Sequence, residues 1–202
     1  MNHERHSGAD ASHWVQRWSH LVASGATVLD VACGGGRHVR WFASRGCHVT
    51  GVDRDGGALQ PLRELAEVVQ ADIENGPWPF DGRRFDAVVV INYLWRPLLP
   101  AVVACVAEGG VLIWETFAAG NESVGKPSNP QFLLRPGELL TAAQGLRVVA
   151  FEDGFENPPE RFVQRIVAVR EAGTPAAATR YLLAGAAPSP GQVKSAHSED
   201  LP

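Results

Sequence analysis

Short, unbroken apolar runs alternate along this chain with segments whose apolar residues recur at helical spacing. His13–Ser24 (HWVQRWSHLVAS) puts Trp14, Val15, Trp18, Leu21 and Val22 on one face of a predicted helix, which Gly25 is placed to stop. Strand and helix then follow in turn: a strand at Thr27–Val31, a helix near Arg37–Arg45, a strand at His48–Val52 and a helix near Gly57–Ala66. A third strand, Glu67–Ala71, ends at Asp72, and a Pro/Gly-rich segment, Asn75–Pro79, leads to Phe85–Ile91 (FDAVVVI), a run suited to a strand covered on both faces. Arg96–Ala107 reads as a helix whose start Pro97 and Pro100 restrict, and Gly110–Glu115 as a fifth strand.

Beyond it, Gly120–Pro136 has the composition of a long functional loop, and Pro136–Gln144 predicts a short helix. Leu146–Phe151 and Phe162–Val169 read as two strands joined by a Pro-rich turn at Asn157–Pro159. The alternation predicts an α/β fold: a Rossmann-like, doubly wound, mostly parallel sheet with an antiparallel edge hairpin and helices on both faces. The expected division is an N-terminal helical cap over 1–26, the main domain over 27–170 and a mobile tail over 171–202, with a short helix at Ala176–Ala184.

Composition narrows the class of protein more than its chemistry. At 202 residues there is room for one domain of ordinary size, and 45% hydrophobic with 20% charged residues is the make-up of a globular protein. A formal net charge of −4 disfavours a nucleic-acid substrate, whose phosphates call for a basic surface. The N-terminus MNHERHSGADASHW carries no apolar signal core, and no apolar run is long enough to span a bilayer. Cys33, Cys47 and Cys105 are odd in number and scattered, matching neither a disulfide framework nor a metal spacing. No membrane association, no metal and a cytoplasmic location are expected.

The chemistry concentrates at Val28–His38 (VLDVACGGGRH), where a strand runs into Gly34, Gly35 and Gly36 and then a helix. Glycines there permit a tight turn and let a ligand approach the peptide groups, while the following helix start offers unpaired N–H groups to an anion. The next strand delivers Asp53 to its C-terminal edge, where acids of doubly wound sheets accept from ribose hydroxyls. A dinucleotide fingerprint requires a third small residue, but counting from Gly34 and Gly36 reaches Val39, and Asp30 sits inside the strand. An NAD-dependent oxidoreductase is therefore the weaker alternative.

An acid ahead of a small-x-Gly-x-Gly turn, here Asp30 followed by Ala32, Cys33, Gly34, Gly35 and Gly36, resembles motif I of the class I S-adenosylmethionine-dependent methyltransferases. LDVACGGGRH (Leu29–His38) and FLLRPGEL (Phe132–Leu139) are similar to segments of the small bacterial tellurite-resistance-type methyltransferases. The resemblance implies S-adenosyl-L-methionine as cofactor for the domain over 27–170. It places the backbone of Ala32, Gly34 and Gly36 against the methionyl group, with Asp30 ordering the turn or reaching the amine through water. It gives Asp53 and the neighbouring Arg54 to the ribose end, Asp72 and Ile73 to adenine, and Asn92 and Tyr93 to the region of the sulfonium. Glu115 is the candidate base, with Tyr93 beside it as the second candidate catalytic residue; Thr116, Asn121 and Glu122 follow at the same edge, and Arg96 and Arg135 are candidate anchors for an anionic acceptor. No histidine lies between Asp53 and Pro190, so the resemblance carries fold and cofactor and leaves the acceptor open. The expected reaction is methyl transfer to a small molecule; a catalytically silent S-adenosylmethionine-binding module is the non-enzyme alternative.

Overall fold

The computed structural model describes residues 10–173 and 179–183. Seven strands form one sheet: β1 Thr27–Val31, β2 His48–Asp53, β3 Glu67–Gln70, β4 Phe85–Ile91, β5 Val106–Phe117, β6 Arg147–Glu156 and β7 Arg161–Val169. Their order is β3-β2-β1-β4-β5-β7-β6, with β1 to β5 parallel and β7 antiparallel to both β5 and β6. This is the doubly wound sheet with an antiparallel edge hairpin that the alternation predicts.

Side chains alternate across each strand, and here both faces are covered. Leu29, Val31, Val88, Val90, Leu112, Trp114, Ile166 and Ala168 enter one core layer, which α4 (Leu99–Ala104) and α5 (Glu138–Ala142) close with Val102, Val103 and Leu139. Val28, Val49, Val89, Ile113 and Val167 enter the other, beneath α1 (His13–Trp18), α2 (Arg37–Ala43) and α3 (Gly56–Leu59). Trp14, Val15 and Trp18 of α1 belong to that second core, and Trp14 Nε1 donates to Ile166 O at 3.4 Å. α1 is thus packed on the sheet.

Several helices are shorter than their apolar spacing suggests. α1 gives way to a 3₁₀ turn at Ser19–Leu21. The helix expected over 57–66 is a single turn, α3, passing into a 3₁₀ turn at Gln60–Leu62 around Pro61. The helix expected over 96–107 begins as a 3₁₀ turn at Arg96–Leu98 and ends at Ala104, because Pro97 and Pro100 cannot donate in a ladder and β5 starts at Val106. β5 runs through Gly109 and Gly110, where pairing with β4 shifts register; a Cβ on Gly110 would lie 2.9–3.0 Å from three backbone carbonyl oxygens. Gly120–Pro136 contains 3₁₀ turns at Asn121–Ser123 and Pro130–Phe132. Of the tail, residues 179–183 hold no helical turn and lie against the body: Tyr181 is 5.7 Å from the Arg147 guanidinium carbon, and Leu182 O is 3.0 Å from His20 Nε2. The rest of the helix expected at 176–184 falls outside the described residues.

Candidate active site

The glycine turn after β1 is built by backbone geometry and one carboxylate. Ala32, Gly34 and Gly36 have φ of 54°, 51° and 74°, all left-handed, so the chain reverses sharply between β1 and α2. Cys33 N donates to Val52 O at 2.9 Å and Gly36 N to Cys33 O at 2.9 Å. Asp53 Oδ2 accepts from Gly34 N at 2.8 Å, and its Oδ1 accepts from Asp55 N at 2.9 Å. The acid at the tip of β2 therefore pins the turn from the neighbouring strand, a role that its position alone does not reveal. A Cβ on Gly51 would lie 2.9 Å from Cys33 Sγ and 3.2 Å from Val39 Cγ2. The close approach of α2 to the sheet, secured in dinucleotide folds by a third glycine on the turn, is secured here by a glycine on the strand.

A cleft of about 270 Å³ opens at the C-terminal edge of β1, β2 and β3, lined by Ala32, Asp53, Arg54, Asp72 and Ile73, together with Ala71, Glu74 and Tyr93. The chain thus brings six of the expected residues, Tyr93 included, to one place. Asp72 also caps a turn: its Oδ1 accepts from Glu74 N at 3.0 Å and Asn75 N at 3.2 Å, its Oδ2 from Asn75 Nδ2 at 3.0 Å, and these bonds hold its carboxyl below the usual range. Ile73 N–H makes no hydrogen bond among the described residues. Tyr93, expected near the sulfonium, lines the same cleft and lies close to Asp72 and Glu74. Its hydroxyl is buried beside Glu74, and burial, reinforced by Glu74 and Asp72, pushes its pKa well above the ordinary phenol value. The upward shift favours the protonated phenol.

Asp30, Gly34, Gly36 and Asn92 stand behind or beside the cleft. Asp30 is 1% exposed and points into the layer of α1 and α2, where its Oδ1 is 4.0 Å from His38 Nδ1 and its Oδ2 has no partner. Burial pushes its pKa up to about 8 against the opposing pull of Arg37, and burial drives His38 down to about 3. His38 Nε2 accepts from Ser12 N at 3.3 Å, which joins the segment before α1 to the start of α2. Asn92 is exposed with φ 57°, and its N–H donates to Glu115 O at 2.8 Å.

Glu115 is not free to act as a base. It follows Trp114 on β5 and so faces the opposite layer, the α1 side of the sheet, away from Tyr93. Its Oε2 accepts from Arg165 Nε at 2.6 Å, and its Oε1 lies 3.6 Å from Arg161 Nη1. Arg165 also holds Glu152 and Glu156, and its guanidinium carbon sits 5.9 Å from the Trp14 ring. Arg96 is likewise committed: it donates to both Glu138 oxygens and to the carbonyls of Gln131 and Leu133, closing the loop after β5. Buried Asn121 bridges Pro127 O and Phe162 N. The Glu115–Arg165 cluster escapes sequence reasoning because its members come together only through the β5–β7 pairing.

The profile of a methyltransferase domain family matches residues 28–110, from β1 into β5, the segment that carries the turn and all the cleft residues. Over these residues the chain is similar to methyltransferase domains. A ubiquinone biosynthesis O-methyltransferase from Alkalilimnicola ehrlichii is 36% identical to it over 103 residues, 46% of this chain and 42% of that protein. The chain overlays TehB from Haemophilus influenzae with a TM-score of 0.60 at 18% identity, covering 76% of this chain and 60% of that one. It overlays an S-adenosylmethionine-dependent methyltransferase from Methanosarcina mazei with a TM-score of 0.61 at 15% identity, covering 81% and 100%. The matched segments span half or less of the curated relatives' lengths. No helix among the described residues is long and apolar enough to cross a membrane.

Proposed function

We propose that the chain binds S-adenosylmethionine in the cleft at the tips of β1, β2 and β3 and directs methyl transfer to a small-molecule acceptor. The observation that carries this reading is the convergence of Ala32, Asp53, Asp72 and Ile73 on one cleft. The polar groups fit an adenosyl group: carboxylate acceptors at two strand tips and the unbonded Ile73 N–H. When bound, the cofactor supplies an electrophilic sulfonium methyl open to in-line displacement by an acceptor lone pair.

In this reading Asp53 accepts ribose hydroxyls with the lone pairs its backbone bonds leave free, and Arg54 flanks it. Asp72 accepts from the exocyclic amine and Ile73 N–H donates to a ring nitrogen. The backbone of Ala32 and Gly34 meets the methionyl group. Alignment and exclusion of water supply the acceleration. No side chain is assigned as a base, since Glu115 is paired and burial favours the protonated Tyr93 phenol. A small-molecule acceptor is supported by the ubiquinone O-methyltransferase relatives and by a net charge of −4, which disfavours nucleic acid.

Titration calorimetry with S-adenosylhomocysteine and with NAD tests the cofactor. Micromolar binding of the first, about 8 kcal/mol, and none of the second is expected; the reverse overturns the reading. A screen of thiols, amines, phenols, carboxylates and oxyanions for methylated product then tests transfer, and binding without any product would favour a silent module.

A further inference from the structure

The loop that follows β5 is built more tightly than its Gly- and Pro-rich composition implies, and it leaves one cation over. Buried Gln164 of β7 accepts from Leu139 N at 2.7 Å and donates to Arg135 O at 3.0 Å and Asp153 Oδ2 at 2.9 Å. Arg96 gives Nε and Nη2 to the two Glu138 oxygens, at 2.7 and 2.9 Å, and Nη1 and Nη2 to the carbonyls of Gln131 and Leu133, at 2.6 and 2.7 Å. Glu138 Oε2 also accepts from Arg135 N at 2.8 Å, so this carboxylate is engaged by Arg96 and by backbone. Arg135 enters the network through its backbone alone. Its guanidinium has no hydrogen-bond or ion-pair partner among the described residues.

Arg135 lines a cavity of about 270 Å³ together with Arg96, Glu122 and the apolar residues Ala119, Pro130 and Leu133. Tyr93 lines the cofactor cleft and Arg96, three residues on, lines this cavity, so one short segment after β4 reaches both. Of the three charged residues around the cavity, Arg96 is neutralised by Glu138, and Glu122 turns Oε2 back onto Gly120 N at 2.8 Å. Arg135 therefore presents a guanidinium fork to a largely apolar hollow, an arrangement suited to the carboxylate of an otherwise apolar molecule. Glu122 on the same wall limits the charge that fits, since it repels a dianion such as a phosphate monoester more strongly than a carboxylate.

We propose that this cavity is the acceptor subsite and that Arg135 anchors there the carboxylate of a small, otherwise apolar monoanion. The inference rests on the S-adenosylmethionine reading above and deepens it by naming the chemical class of the acceptor. The carboxylate is a handle and not the methylated atom, because a carboxylate held by a guanidinium is a weak nucleophile; the reacting lone pair belongs to another group of the same molecule. Arg96, committed to Glu138, shapes the wall and leaves the anion to Arg135.

Three probes test this by calorimetry on protein loaded with S-adenosylhomocysteine: phenylacetate, its neutral amide phenylacetamide, and phenyl phosphate. The wild type is expected to bind phenylacetate about tenfold more tightly than either of the others. Arg135→Gln changes an exposed side chain that bonds nothing among the described residues, so it should keep the wild-type melting temperature and affinity for S-adenosylhomocysteine. It should also bind phenylacetate no better than the amide. Equal binding of acid and amide by the wild type, no binding of phenylacetate, or an Arg135→Gln variant that still prefers the acid overturns the proposal. So does phenyl phosphate binding most tightly, which would make the cavity a phosphate site. Protein that does not bind S-adenosylhomocysteine refutes the cofactor reading itself, a result distinct from these.

Discussion

Asp30 and His38 are both buried and titrate in opposite senses, which makes their combined effect on stability specific. The folded Asp30 keeps a proton up to about pH 8, whereas unfolded it loses that proton near 3.8, so its contribution favours the native state below pH 4 and is lost as pH rises to 8. The folded His38 remains neutral down to about 3 while the unfolded side chain protonates below 6.5, so its contribution is lost as pH falls from 6.5 to 3. Between pH 4 and 6.5 the two slopes cancel, and between 6.5 and 8 only the Asp30 slope remains. Urea unfolding of the wild type is expected to show a plateau up to pH 6.5 and a decline to pH 8, a decline absent in Asp30→Asn; identical profiles would reject the assignment. Ala32 makes a second residue-level case. A non-glycine residue at φ 54° costs roughly 1–2 kcal/mol and glycine's extra unfolded freedom about 0.5–1 kcal/mol, so Ala32→Gly should leave stability equal or up to about 1.5 kcal/mol higher. Thermal melting checks this, and a lower melting temperature would show that the alanine methyl packs usefully. The sequence puts Asp30 in the strand and Ala32 in the turn after it, but neither the burial of Asp30 nor the φ of Ala32 can be read from residue type.

At the level of elements, the strands were the most legible part, because strands covered on both faces leave continuous apolar runs such as Phe85–Ile91 that few other structures use. Helices were less so: of those expected over 57–66 and 96–107, the first gives way to a 3₁₀ turn around Pro61, and the second is shortened by Pro97, Pro100 and the start of β5. The edge hairpin shows what pairing adds. Arg165 on β7 joins Glu115 on β5, Glu152 and Glu156 on β6 and the Trp14 ring of α1, and so clamps the N-terminal helix to the far end of the sheet. Removing one partner of a buried pair strands the other, so Arg165→Met alone should destabilise by about 3–5 kcal/mol. The double variant Arg165→Met, Glu115→Leu should recover much of that loss in denaturant unfolding and still bind S-adenosylhomocysteine. If the double variant folds but loses the ligand, Glu115 belongs to the cofactor site after all.

For the molecule as a whole, the cleft unites the tips of three strands, so its occupant should stabilise the entire fold. S-adenosylhomocysteine at a hundred times its dissociation constant is expected to add about 2.7 kcal/mol to unfolding, with no change from NAD at the same concentration. Equal effects of both ligands in a melting assay would count against selectivity for S-adenosylhomocysteine over NAD. The acids at Asp53 and Asp72 and the glycine bend were legible because a strand followed by a turn places its last residue at the sheet edge, whatever the rest of the chain does. Local pattern was thus enough for the α/β order, the glycine turn and the carboxylates brought to one edge, since each depends on neighbours a few residues apart. Tertiary structure alone decided that Asp53 pins the turn, that Gly51 makes room for Val39, that Glu115 is taken up by Arg165 and that Tyr93 lies close to Asp72. Each of these depends on groups distant in sequence, and only the packing of strand on strand and helix on sheet brings them within bonding distance.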